Sequence, residues 1–455
     1  MGEGSAQKHQ TNKQQWWPIL ANGGWLVSER VLRAMLVMLV GAWVARYLGP
    51  IRYGELAYVI AWLALFQAMV NLGLDAIVVR ELAQQSHPPR QILLSTFVMR
   101  LLAGLLAMLL AVLGMALLHG WNSDSVWLTL MVAGALLFQA ADVADLWFQS
   151  QGQNRYSVRV KIIAYTLSCA IKICFILVGA PLWSFALVVS MDAFFVASGL
   201  FMVARSHWCR QSHHGESSYS NILCESWYVF RTHAPVLLRE SWPLMAAAVA
   251  TALAMRVDQL LLKDMLGSRF AGLYAAILPF TIFWHILPLA LVTSLAPWLA
   301  RRKQESESGY RKDLQNIFRV ILLLGLLSTF VMLLLAPLIV GLLLGEEYAS
   351  AVPVLQLHVL ANVFIFMGLA QSLWVTNERR SGVTLKQALL AAAVAISGNM
   401  FMIPWLGMLG AALTFVIAQA TAAWVSNLYF APPVFWMQLG LKPPGKLNDS
   451  WDKLS

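Results

Sequence analysis

Residues 46–62 read RYLGPIRYGELAYVIAW, and residues 264–280 read DMLGSRFAGLYAAILPF. Each run has Leu-Gly, a second glycine five positions later, then an aromatic residue among small ones. A second echo sets LWFQSQGQNR (146–155) against LWVTNERRSG (373–382). The chain therefore reads as two copies of one unit, and what fills each copy decides the fold.

The filling is apolar. Of 455 residues, 59% are hydrophobic and only 12% charged, against roughly 25% charged in an ordinary soluble domain. A bilayer core needs about 20 apolar residues per helix, and about twelve segments qualify. They run approximately over 19–45, 55–78, 92–118, 125–149, 158–179, 182–204, 238–262, 272–299, 316–344, 352–376, 384–404 and 408–431. This is an all-α polytopic membrane protein with two pseudo-symmetric six-helix bundles, expected to enclose a central cavity. The expected division is a first lobe over 1–204, a cytoplasmic connecting loop over 205–237, a second lobe over 238–431 and a cytoplasmic tail over 432–455. Six spans per copy keep both copies in one orientation, related by an axis along the membrane normal.

Loop charge sets the orientation, because short cytoplasmic loops are enriched in Lys and Arg. Alternate connections hold Arg80 and Arg90; Arg155, Arg159 and Lys161; Arg205, Arg210 and Arg231; Arg301, Arg302, Lys303, Arg311 and Lys312; and Arg379 and Arg380. The other set offers Arg46, Arg52, Lys263 and Arg269. With the tails counted, the asymmetry is about five to one, which predicts both termini in the cytoplasm. Topology thus accounts for the net charge of +10, and no basic face on a soluble domain points to nucleic acid. The polar N-terminus lacks the short apolar core and cleavage site of a signal peptide.

Cys169, Cys174, Cys209 and Cys224 form no CxxC pair, so neither a disulfide framework nor a zinc site is expected. HWCRQSHH (207–214) reads as a polar loop in preference to a metal cluster. Many of the 19 tryptophans, among them Trp16, Trp17, Trp121, Trp127, Trp183, Trp405 and Trp436, fall at segment ends, where aromatic belts belong. HExxH, GxSxG and GxxxxGK[ST] are all missing. A transporter, with no enzymatic activity and no cofactor, is the expectation.

Charges at membrane depth are functional hypotheses by default. WLVSERVLRAMLVMLV (25–40) carries three. At about 100° per residue, Asn22, Glu29, Arg30 and Arg33 fall on one stripe of the helix, about 100° wide. Glu29 and Arg33 stand at i, i+4, close enough to pair, which would leave Arg30 in need of a ligand. Arg offers a permanent charge and a bidentate fork suited to an oxyanion. Arg256 and Asp258 in the seventh segment are two apart and point to different sides, and Arg256 is a further cavity candidate. Arg100 in the third segment, Asp142 and Asp145 in the fourth and Asp192 in the sixth complete the set. Asp142 and Asp145 share a face, with Lys172 or Arg100 as expected partners, in an interhelical salt bridge or an ion-coupling site. Arg319 and Lys386 read as snorkelling interface residues. Asp75, Arg80 and Glu81, in GLDAIVVREL (73–82), are expected at a gate or a loop-helix contact.

ARYLGPIRYGELAY (45–58), VDQLLLKDMLG (257–267) followed by GLYAA, and LLLGEEYASAVPVLQL (342–357) together resemble the polysaccharide flippases. These are the Wzx-type branch of the multidrug/oligosaccharidyl-lipid/polysaccharide exporter superfamily. WFQSQGQNRY (147–156) and SLAPWLARR (294–302) fit the same pattern, so the resemblance covers residues 20 to 430. It implies a two-lobed flippase of the inner membrane that opens alternately to either face. Such a protein carries an undecaprenyl-diphosphate-linked oligosaccharide outward for O-antigen, capsule or exopolysaccharide synthesis, energised by H+ or Na+. The resemblance implies Asp258 as the motif's acidic residue, in a structural or an ionic role. Partners implied are the lipid-linked glycan, membrane lipid, and a polysaccharide polymerase with chain-length machinery. An ion-coupled multidrug antiporter and a membrane glycosyltransferase or polymerase remain the alternatives.

Overall fold

The computed structural model describes residues 3–84, 88–211, 219–439 and 441, with side chains over 28–84, 88–206, 237–380, 382–439 and at 441. Asn22, Trp16, Trp17, Cys209, Cys224, Arg210, Arg231 and the HWCRQSHH stretch lie outside the described side chains. Helices make up the described backbone, and no strand occurs in it. That follows from the setting: hydrocarbon offers no partner to backbone N–H and C=O groups, so each segment must satisfy its own.

The first lobe contains α1 (Glu3–Val70), α2 (Asp75–Gln84), α3 (Pro89–His119), α4 (Asp124–Phe138), α5 (Val143–Ser150), α6 (Asn154–Val178) and α7 (Leu182–Gln211). The second contains α8 (Tyr219–Leu266), α9 (Ser268–Ile282), α10 (Ile286–Glu305), α11 (Glu307–Ile339), α12 (Val352–His358) and α13 (Ala361–Asn377). It closes with α14 (Ser381–Leu406), α15 (Met408–Ala420), α16 (Asn427–Phe430) and α17 (Pro432–Gln438). Among the described residues ten stretches are long and apolar enough to cross a membrane, or eleven with the pair α12 and α13, bent by 44°, taken as one span. The first stretch, Ser28–Gln84, holds 57 residues. A break at Gly49 divides its α1 portion into two lengths of about 30 Å each. The sequence reading of about twelve segments stands slightly above the ten or eleven stretches found among the described residues.

Among the described residues of the expected loop over 205–237 the backbone is helical. Helix α7 continues to Gln211 and α8 begins at Tyr219, because this polar stretch holds few helix breakers and one proline. The expected tail also starts later, since α17 folds back and buries Val434, Met437 and Gln438. Gln438 joins a buried amide cluster in which Asn427 Nδ2 donates to Gln371 Oε1 at 2.9 Å and to Gln438 Oε1 at 3.0 Å.

Packing follows the rule for helices in lipid, with small residues inward and large ones outward. On α3, Leu102, Leu105, Leu106 and Leu109 are exposed, whereas Gly104, Ala107 and Ala111 are buried. Helices α8 and α14 meet through Ala250, Ala254, Ala388, Ala391 and Ala392.

Both sequence echoes are geometric. Gly49 (φ 70°, ψ 168°) and Gly267 (φ 95°, ψ 170°) turn the chain alike, in a region that only glycine enters without strain. The glycines five positions later meet each other: a Cβ on Gly54 would lie 1.8 Å from the Ser268 carbonyl oxygen, and one on Gly272 1.9 Å from that of Pro50. In the second echo, Gly152 (φ 65°) and Arg379 (φ 55°) occupy equivalent left-handed positions. Their flanking bonds match as well, Gln153 N to Phe148 O at 2.8 Å and Arg380 N to Val375 O at 2.9 Å.

Candidate functional site

The two lobes touch at both faces of the molecule. At the face carrying the Gly49 and Gly267 turns, Tyr348 donates from its hydroxyl to the Ala45 carbonyl at 2.7 Å. Beside the Gly54–Gly272 contact lies a latch. Lys263 Nζ stands 3.8 Å over the Tyr58 ring and donates to Ser125 Oγ at 3.0 Å. The Tyr58 hydroxyl is 2.7 Å from His119 Nε2, which is 3.8 Å from Asp264 Oδ1. At the opposite face Arg80 bridges to Glu240 at 2.9 Å, and Gly73 packs against Ser241 and Leu244. The sequence put Asp75, Arg80 and Glu81 at a gate or a loop-helix contact and read Lys263 only as a loop charge; Tyr58, His119 and Asp264 gave no signal beyond their places at segment ends.

Partly exposed ion pairs are worth up to about 1 kcal/mol each. Removing the latch as a group, in Tyr58→Phe/Lys263→Met/Asp264→Asn, should therefore weaken closure of this face by about 2 kcal/mol, roughly a 30-fold change in population. Reaction of a cysteine placed near Gly49 with an impermeant thiol reagent should quicken accordingly; an unchanged rate would show that the latch is idle.

Between the faces, the first-helix stripe is only partly as expected. Glu29 is buried and forms no ion pair with Arg33. The Arg33 guanidinium lies instead over the Tyr165 ring of α6, 4.4 Å from its centroid. Spacing permitted the i, i+4 pair, but a neighbouring helix supplied a ring face, which binds a guanidinium well. Arg30 is exposed and makes no hydrogen bond or ion pair among the described residues. Asp192 accepts from Ser168 Oγ at 2.7 Å and lies, with Glu29, close enough to Tyr165 to act on it electrostatically. Arg33, Glu29, Tyr165 and Asp192 thus belong to one wall built by α1, α6 and α7, and Arg30 is exposed on the same turn of α1.

The other N-lobe charges form a neighbouring group, which meets that wall where Lys161 comes near Tyr165. Arg100, about 1% exposed, bonds to Asp75. Asp145 accepts from Ser157 Oγ and pairs with Lys161 at 2.5 Å. Asp142, on the 3-10 turn Gln139–Asp142, is held among Lys161, Arg100, Asp145 and Asp75. Two partners differ from expectation: Lys161 is no loop residue, and Lys172 lies near Asp192 and Cys169 instead. Arg100 is committed to Asp75 and leaves the list of substrate contacts. Among the described residues no group of three metal-ligand side chains occurs.

In the second lobe Asp258 makes no ion pair with Arg256. It accepts from the Tyr274 hydroxyl at 2.5 Å and from the Gln259 backbone N–H at 2.8 Å. Arg256 is half-buried between the charge of Asp258 and the phenol of Tyr53 across the lobe boundary. A cavity of about 730 Å³ opens at the glycine-turn end of the first lobe, lined by Arg52, Glu55, Asp124, Trp127 and Trp183 among others. None of the sequence-chosen arginines reaches it.

Against known proteins, the fold matches an inward-facing multidrug resistance transporter of the MATE family, MOP superfamily. The TM-score is 0.70 at 13% identity, over 90% of this chain and 96% of the other. Lipid II flippase MurJ in an inward closed conformation gives 0.70 at 13% identity over 91% and 90%. An outward-facing MATE transporter gives 0.61 at 15% identity over 93% and 96%. In sequence, the capsular polysaccharide biosynthesis protein CapF of Staphylococcus aureus is 22% identical over 194 residues, 42% of this chain and 49% of that protein. The match thus spans about half the length of that relative. Residues 19–303, well over half of the chain, match the family of polysaccharide biosynthesis proteins. This multi-pass membrane protein belongs to that polysaccharide biosynthesis family, and it carries the helical fold shared by MATE and MurJ transporters.

Proposed function

We propose that the protein is a flippase of the bacterial inner membrane, moving an undecaprenyl-diphosphate-linked oligosaccharide outward for surface polysaccharide synthesis. The observation that carries the reading is the α1 stripe: Arg30 exposed and without a hydrogen-bond or ion-pair partner among the described residues, and Arg33 on an aromatic face, in a fold whose lobes touch at either end. A guanidinium exposed at membrane depth calls for an anion. A diphosphate supplies one on oxygens matched to the guanidinium fork, while its polyprenyl chain stays in lipid. The Lys and Arg distribution assigns the glycine-turn face to the outside and both termini to the cytoplasm. On that assignment this conformation is closed outward, in keeping with the higher TM-scores to inward than to outward structures. Coupling to H+ or Na+ is part of the reading, as is handover to a polymerase; no enzymatic step is.

A charge-assisted bond to a diphosphate is worth about 1.5–3 kcal/mol. Arg30→Ala and Arg33→Ala should therefore each reduce surface glycan roughly 10- to 150-fold in a complemented deletion strain, with protein levels unchanged. Lipid-linked repeat units should accumulate on the cytoplasmic side. Wild-type surface glycan in both variants would sink the assignment. Because the MATE match is equally good, the same strains should be scored for resistance to cationic drugs; resistance lost with glycan intact would favour a drug antiporter.

A further inference from the structure

Two interrupted helices meet inside the second lobe. The stretch from α9 into α10 is broken by a 3-10 turn at Phe283–His285, four residues after Pro279. The stretch from α12 into α13 bends by 44° between His358 and Ala361. His285 stands at the first break, and His358 and Asn362 flank the second. They come together: a His285 ring nitrogen is 3.1 Å from Asn362 Oδ1, and the two imidazoles are near enough for their charges to interact. Broken helices at membrane depth are where transporters of other folds hold their coupling ions.

His358 is 3% exposed, and both of its ring nitrogens lack a hydrogen-bond partner, as does Asn362 Nδ2. Its ring stacks on Phe415 at 4.2 Å and 15°, and meets the edge of Tyr274 at 5.7 Å. Titratable neighbours are few. From the α9–α10 side come Tyr274 and His285; α13 brings the neutral Asn362 and α15 the apolar Phe415, while from α11 the Thr329 hydroxyl donates to the Val359 carbonyl next to the ring's own residue. Tyr348 precedes α12, with its hydroxyl committed to Ala45. Asp258, the nearest carboxylate in this chain of contacts, is reached only through the Tyr274 hydroxyl. No third metal-ligating side chain joins the pair among the described residues, so the ligand this site suits is a proton.

We propose that His358 is a proton-binding site whose loading is incompatible with this conformation, so that protonation opens the outer seam, with His285 and Asn362 as its route to water. The step is a simple transfer: the lone pair of a neutral ring nitrogen takes a proton from hydronium, leaving water and an imidazolium. In the pocket as described, that imidazolium would be a buried ion without a partner, which is far costlier than the neutral ring. A ligand shifts a conformational equilibrium by its difference in affinity between the states. Straightening the α12–α13 bend admits water to the ring, and return of the proton to that water lets the seam close again. The proposal rests on the transporter reading above, but its test needs no glycan.

Spin labels on Ile51→Cys and Phe270→Cys, both exposed at the outer seam, in full-length protein free of its native cysteines and reconstituted in liposomes, report the seam distance against pH. Acidification should lengthen the distance in the labelled parent, with about a tenfold population change per unit of difference in proton affinity between the two states. His358→Phe should abolish the shift, and His358→Gln, which keeps a neutral polar group, should do the same. Arg30→Ala should retain it. A pH-independent parent, or an unaltered shift in both His358 variants, would overturn the proposal. Failure of glycan export to depend on Arg30 would overturn the flippase reading and leave this result standing.

Discussion

Gly54→Ala should abolish export while leaving the protein inserted. The added methyl group would be 1.8 Å from the Ser268 carbonyl oxygen and 2.9 Å from the Gly272 nitrogen. Both are backbone atoms, so no rotamer change relieves the clash and the two helices must separate. Overpacking costs about 1–3 kcal/mol where side chains give way, and backbone against backbone belongs at the top of that range or above. At about 3 kcal/mol the state with this seam closed loses roughly 150-fold in population. The measurement is thiol-reagent access to a cysteine at the seam, alongside surface glycan. Gly272→Ala should behave alike, and the double variant should cost less than the sum, because the two positions share one contact. Wild-type export by Gly54→Ala would mean that this face never has to close as tightly as the structure shows.

Asp75→Ala should cost about 1–3 kcal/mol of stability, because it removes the exposed member of the pair and leaves the buried Arg100 guanidinium short of a partner. The burden falls on Arg100, whose side chain is about 1% exposed and whose Nε already lacks a partner. Asp142 lies near enough to share the charge, which puts the expectation at the lower end. Thermal unfolding in detergent measures it. Arg100→Met/Asp75→Leu should recover most of the loss, since replacing the whole pair by apolar groups removes the uncompensated charge along with the bridge. Equal melting of Asp75→Ala and the parent would show that the pair carries no stability.

Much of the architecture was legible because lipid simplifies the problem: an apolar run of the right length has one way to satisfy its backbone. The Leu48-Gly49 and Leu266-Gly267 echoes marked the repeat, and the second glycine of each run, Gly54 and Gly272, lies against the other. What stayed hidden depended on pairing across helices. Glu29 and Arg33 looked like partners by spacing, yet Tyr165, more than a hundred positions away, took the guanidinium. Lys161 read as a loop charge until Asp145 was found beside it. The latch of Tyr58, His119, Lys263 and Asp264 joins four positions from two lobes, and no periodicity in one segment encodes such a meeting. His285 and His358 were passed over because a histidine in an apolar run resembles any core filler. Only the two helix breaks set this pair apart.

The paired turns at Gly152 and Arg379 carry a record of descent. At the first, glycine adopts the left-handed backbone freely; at the second, an arginine holds the same dihedral at a cost of about 1–2 kcal/mol. The residue changed and the turn did not, down to its flanking hydrogen bonds. Ancestry in this chain is therefore written more durably in torsion angles than in letters, and its internal duplication should remain measurable by superposing the halves long after their sequences cease to align.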